Sequence, residues 1–293
     1  MPGSSSSNNN GRALEYSITH ELSKIHGCKL TERALADQLR DARSFAGLTK
    51  QLRKSFTEAA EIVAPWVLSE IGAGRGSKFN VDRHQDSDPG VADLTVTSGS
   101  KSLRISVKHN HDALSHPRPY SLADRMGIST LAFESDHRDR LDKVTKKFRS
   151  AARGATSFPL VPTAKLKLYQ ETCAECAKTV NSANAHKGAV SNLFSFLVGS
   201  DFKKLIVETN RTSKTLTTIK VMDYTRIKQP KSVAASVDNR PRASSLILNF
   251  DNGWTIDLRI KNASTKISPS GQVSLKFDAQ KTEGPIPPLV LLF

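Results

Sequence analysis

Segments of helical and of strand periodicity mix along the whole chain, which predicts an α/β or α+β fold rather than a helical bundle or a β-sandwich. Three observations carry the prediction. Leu14, Ile18, Leu22 and Ile25 recur at helical spacing near the start. Polar/apolar alternation then appears in DLTVT (93–97) and LRISVK (103–108). A second pair of strand-like runs flanks the turn Asp251-Asn252-Gly253.

Taken in order, residues 1–11 are a Ser/Asn/Gly-rich polar tail that cannot bury a core and is expected to be disordered. Asn10 or Gly11 caps a helix running to about His26, with Gly27 as its stop. A second helix is predicted over 32–42 behind Thr31, and a third over 48–71 with Pro65 as a bend point. Strands are predicted over 79–83, 93–97 and 103–108, the last two joined by a turn at 98–100. Helices follow over 121–126, 139–153, 166–180 and 189–198, then strands over 205–209 and 216–222. Residues 234–244 are polar and read as a loop. A hairpin of 246–250 and 254–260 follows, its Asn-Gly pair favouring a type I′ turn. A strand over 273–279 and an apolar, proline-rich tail from 285 complete the chain.

The 293 residues suffice for one large or two small domains. Lys and Arg number 43 against 28 Asp and Glu, a formal charge of +15, so a polyanion is the expected partner, nucleic acid first. No apolar run approaches the ~18 residues of a membrane-spanning helix, and no membrane association is expected. No signal-peptide pattern opens the chain, and three cysteines do not suit a disulfide framework; a cytoplasmic location is expected.

The stretch 93–108 carries the chemistry. Alternate strand residues share a face, so Arg104, Ser106 and Lys108 oppose Leu103, Ile105 and Val107. A hairpin would then bring the carboxylate of Asp93 near the amine of Lys108. Phosphodiester hydrolysis uses such a pair: a carboxylate can hold Mg²⁺, and a lysine can position water or stabilise negative charge. A solvated surface hairpin is the ordinary alternative. The following loop, His109-Asn110-His111-Asp112-Ala113-Leu114-Ser115-His116-Pro117-Arg118, is rich in groups suited to phosphate and base edges.

Here the sequence resembles a known family. SVKHNHDALSHPR (106–118) is similar to the active-site strand and loop of HaeIII-like type II restriction endonucleases, GRALEY (11–16) to their N-terminal helix start, GVAD (90–93) to their metal-binding aspartate, and 251–278 to their C-terminal hairpin block. The resemblance implies the PD-(D/E)XK nuclease fold: a mixed central sheet flanked by helices, cutting double-stranded DNA with Mg²⁺. It implies Asp93 as metal-binding acid and Lys108 as the lysine. Ser106 stands where the superfamily pattern has Asp or Glu, so a second carboxylate is expected elsewhere. Glu15 is the candidate, Glu21 a weaker rival, and the Val107 carbonyl a further possible ligand. His109 and Asn110 would contact DNA near the scissile phosphate. His111, His116, Arg118, Arg259, Asn262, Ser264, Thr265 and Lys266 are candidate DNA contacts.

The resemblance further implies one nuclease domain over 12–293, helical to about 75, catalytic to about 225 and DNA-recognising beyond. It also implies a short palindromic target, GGCC by family expectation, and a homodimer to match its symmetry. The alternatives are a non-cleaving DNA-binding regulator and a repair or junction nuclease. Other signals weigh less. His109-Asn110-His111 lacks the wider spacing of an HNH nuclease. Cys173 and Cys176, with His186, lack a fourth zinc ligand, and GAGRG (72–76) lacks the Lys of a phosphate loop. The basic helix over 138–153 is either a solvated face or a phosphate contact.

Overall fold

The computed structural model describes residues 6–74, 76–84, 92–112, 114–128, 131–241, 243–268 and 273–292. Its elements are α1 (Ser6–Ser23), β1 (Cys28–Leu30), α2 (Glu32–Ala46), α3 (Lys50–Glu70), β2 (Phe79–Arg83), β3 (Leu94–Ser98) and β4 (Lys101–His109). Then come α4 (Leu122–Arg125), α5 (Leu131–Ala151), α6 (Pro162–Ser182), α7 (Ala189–Val198), β5 (Lys203–Thr209) and β6 (Leu216–Asp223). β7 (Val233–Arg240), β8 (Ala243–Phe250), β9 (Thr255–Asn262), β10 (Leu275–Glu283) and β11 (Leu289–Leu292) follow. No helix among the described residues is long and apolar enough to cross a membrane.

The chain divides into two compact units, each assembled from separated segments. The first takes Met1–Asp112, Ser200–Ile227 and Ile286–Phe293; the second takes Ala113–Gly199 and Lys228–Pro285. The stretch 76–225 contributes to both units.

The first unit is built on a mixed seven-stranded sheet in the order β1-β2-β3-β4-β5-β6-β11. The pairs β1/β2 and β4/β5 are parallel, the rest antiparallel. Alternation decides its faces. Leu103, Ile105 and Val107 of β4 join Val81, Leu205 and Val207 in one core with Leu14, Ile18 and Leu22 of α1 and Phe56, Ala60 and Val63 of α3. Each such Leu, Ile or Val side chain, fully buried, contributes roughly 1.5–3 kcal/mol. Thr31 and Thr49 start α2 and α3 by accepting the amides of Ala34 and Leu52.

The second unit pairs an antiparallel four-stranded sheet, β10-β9-β8-β7, with helices α4 to α7. The Phe194 ring of α7 meets Phe250 and Trp254 edge-to-face at 5.1 and 5.6 Å between centroids.

Several expectations change. Residues 6–11 are helical rather than a loose tail, since a helix nucleated on the packed stripe of α1 propagates outward; residues 1–5 lie outside the described residues. α1 ends at Ser23, and Gly27, at φ +90°, passes so close to Ser77 that a Cβ would meet its carbonyl oxygen at 2.3 Å. Residues 234–240 and 243–244 are strand, not loop: they belong to β7 and the start of β8. The tail beyond 285 contributes β11. The 251–253 turn is not type I′. Gly253 alone has positive φ, +84°, which is the three-residue hairpin loop with a left-handed glycine.

Candidate active site

The pairing of β3 with β4 sets Leu94 opposite Ile105, and the Asp93 amide extends the ladder by donating to the Ile105 carbonyl at 2.8 Å. From there the Asp93 side chain takes over. Its Oδ2 accepts from the Val107 amide at 2.6 Å, the Ser106 hydroxyl at 3.1 Å and Lys108 Nζ at 3.0 Å. Oδ1 takes no hydrogen bond among the described residues. Ser106 is fully buried, whereas the Asp93 and Lys108 side chains keep 23% and 21% of their surface, enough to meet a substrate.

Glu15 reaches the same neighbourhood from α1. It sits beside Leu14, so the packing of that stripe against the sheet carries the carboxylate inward. Arg83, the last residue of β2 and 1% exposed, places Nη2 2.5 Å from Glu15 Oε2 and 2.9 Å from Asp41 Oδ2. Asp41, buried in α2, is gripped through both oxygens by Arg40 at 2.7 and 2.9 Å. The Glu15 carboxyl is pushed up to about 7, first by burial and then by the negative charge of Asp93. Arg83 and, more weakly, Lys108 pull it down. Glu15, Asp93 and Lys108 thus act on one another electrostatically, while Glu21 pairs with Lys24 at 2.7 Å.

His109 and Asn110 are engaged within the fold. His109 Nε2 lies 2.9 Å from Thr209 Oγ1, and its ring stands edge-on to Phe56. Burial, reinforced by His111 and Lys214, lowers it to about 4, so it is neutral at pH 7. Asn110, at φ +61°, accepts from the Thr209 amide at 2.7 Å and donates its own amide to Val207. Both side chains tie the end of β4 to β5. His111 is exposed, its Nδ1 2.6 Å from the His109 carbonyl oxygen.

The HaeIII restriction endonuclease family matches residues 84–285, more than half of the chain and a span holding Asp93, Ser106 and Lys108. The chain belongs to that family. Its members are nucleases, hydrolases whose substrate is DNA. Comparisons with curated proteins and with solved structures return no match. In this HaeIII-family chain, Arg83 lies one residue ahead of the matched span, and Glu15 lies well before it.

The other candidate residues of this HaeIII-family chain belong to the second unit. His116 Nδ1 accepts from the Ala279 amide at 3.0 Å, and Arg118 donates to Ser274 Oγ at 3.2 Å. Arg259 is exposed on β9. Asn262 accepts from the Tyr169 hydroxyl at 2.8 Å and donates to the Ser264 carbonyl at 2.6 Å. Thr265 and Lys266 are exposed on a segment tied down by the Phe158 amide, which donates to the Thr265 carbonyl. Cys173 and Cys176 are buried in α6, and burial raises both thiols, Cys173 to about 12. Among the described residues no three His, Cys, Asp or Glu side chains cluster as a metal site. Sequence reasoning missed Arg83 and Asp41. Their signal was faint: a charged residue at the core-facing end of the alternating FNVDR, and an Asp in the buried stripe of α2.

Proposed function

We propose that this chain is a type II restriction endonuclease of PD-(D/E)XK architecture. It makes Mg²⁺-dependent double-strand cuts at a short palindromic site, GGCC by family expectation. The observation that carries the reading is the 3.0 Å contact between Asp93 Oδ2 and Lys108 Nζ on adjacent strands, with both side chains open to solvent.

A divalent cation fits the donor set. Burial and, second to it, the negative charge of Asp93 raise Glu15, and a shared cation would relieve the repulsion between the two carboxylates. Asp93 and Glu15 would hold it, with the Val107 carbonyl as a further oxygen donor. When bound, Mg²⁺ supplies charge neutralisation at the phosphate and a more acidic water. The residues do the rest. The Val107 amide and the Ser106 hydroxyl fix the Asp93 carboxylate in one rotamer, so little reorganises during reaction. Lys108 orients the attacking water and stabilises negative charge on the phosphate. Ser106 is a poor metal ligand, so its part is to hold Asp93. A homodimer places one such site on each strand of a palindrome.

The experiment is digestion of a DNA of known sequence by the purified chain with Mg²⁺, followed by mapping of fragment ends. Discrete ends at one palindrome are expected. Ser106 in place of a carboxylate is the one observation favouring a non-cleaving DNA binder, and a mobility shift without cutting in any divalent metal would establish that alternative.

A further inference from the structure

The second unit holds an open groove of about 640 Å³, lined by Arg118, Arg149, Lys266, Tyr120, Ser264 and Ser274 among others. Three cations and several hydroxyls face one space, and the carboxylate on its wall, Asp142, already accepts the Tyr120 hydroxyl at 2.8 Å. The chemistry offered is therefore mostly donors. Phosphate oxygens only accept, whereas base edges present donors and acceptors together.

Hydrogen bonds tie the walls to the fold. Arg118 leads into the single 3₁₀ turn Pro119–Ser121 and donates to Ser274. Lys266 forms a β-bridge with Ser157, flanked by the amides of Phe158 and Ile267 bonding across to Thr265 and Thr156. α5 supplies Arg149. Elsewhere on that helix Arg138, Arg140 and Lys147 are held by Glu134, Asp136, Glu175 and Glu171.

We propose that this groove binds the DNA sugar-phosphate backbone, with Arg149 and Lys266 as phosphate contacts, so that Arg118, Ser264 and Lys266 position the duplex and do not read its sequence. The inference rests on the chain binding duplex DNA, as the proposed function requires, but not on its cutting.

The test uses the full chain in EDTA, with binding of fluorescent duplexes followed by anisotropy across a salt series. One duplex carries the mapped site and one is unrelated. Arg149→Ala and Lys266→Ala should each flatten the slope of log K against log salt by about one, and weaken both duplexes alike. Arg149→Lys should keep the slope, and unchanged circular dichroism excludes misfolding. Unchanged slopes in both alanine variants, or a loss confined to the site-bearing duplex, would overturn the proposal. Outcomes for the two readings separate. Wild type that binds with the expected slopes but never cuts sinks the nuclease reading alone. Wild type that cuts while the alanine variants keep their slopes sinks the groove alone.

Discussion

Both units pack helices on a sheet, yet they carry different chemistry. In the first, charged groups are drawn inward: Glu15, Arg83 and Asp41 form a buried chain of ion pairs ending near the half-open Asp93–Lys108 pair. In the second, the cations of interest stand exposed around a groove, and its buried polar groups serve the fold. The difference teaches where each function belongs. Fixed charges with little freedom suit a reaction site, where preorganisation is worth several kcal/mol. Solvated cations suit a backbone grip, whose strength depends on counterion release and therefore on salt.

The comparison breaks first at Asp93. Asp93→Ala should lower cleavage by at least about 10³-fold, because a metal ligand's share of the stabilisation is several kcal/mol. Lys108→Ala should cost about 10²–10⁴-fold. Cleavage assays on a plasmid check both, and near-wild-type rates in either would dissolve the distinction between the units. Next is Arg83. Arg83→Met leaves the buried Glu15 carboxylate without its cation and Asp41 with Arg40 alone, and urea denaturation should show a loss of about 3–5 kcal/mol. A loss under about 1 kcal/mol would mean that the chain of charges is not a rigid frame.

The second unit has a pH-dependent weak point. His137 is fully buried between Thr179 and the Pro119 carbonyl at 2.8 Å each, and burial lowers its pKa below the ordinary 6.5. The unfolded chain then binds the proton more readily, so this stability is complete above about pH 6.5 and declines as pH falls below it. Urea midpoints between pH 7 and 5 should fall in wild type and fall less in His137→Gln. Parallel curves would remove His137 as the cause. The smallest effect is at the 251–253 turn. Gly253→Ala forces a side chain into φ +84°, with open space around the Cβ, and should cost about 1 kcal/mol from backbone strain alone, read as a small drop in melting temperature.

What the sequence disclosed follows from where its signals are local. The β3–β4 hairpin was legible because LRISVK alternates against a one-sided core, and that alone brings Asp93 towards Lys108. α7 matched its predicted bounds because its apolar stripe ends at glycines. β7 was missed because an edge strand reading VAASVDNR buries few of its side chains and carries no clean alternation. β11 was hidden behind prolines. Asp41 and Arg83 are distant in sequence, and nothing local announces that Asp41 of α2 and Glu15 of α1 will share Nη2 of Arg83 on β2. His109 and Asn110 carry a structural part that the tripeptide alone does not announce: they form the seam between β4 and β5.

The split construction of the first unit has a consequence for biosynthesis. Asp93 and Lys108 leave the ribosome on a hairpin whose far side stays bare until all of α4 to α7 has been made and β5 arrives to cover it. The sheet gains its outermost strand only when β11 joins β6. Such late, non-local closure slows folding. For an enzyme that attacks DNA, it also keeps the proposed cutting centre immature until these later segments are made.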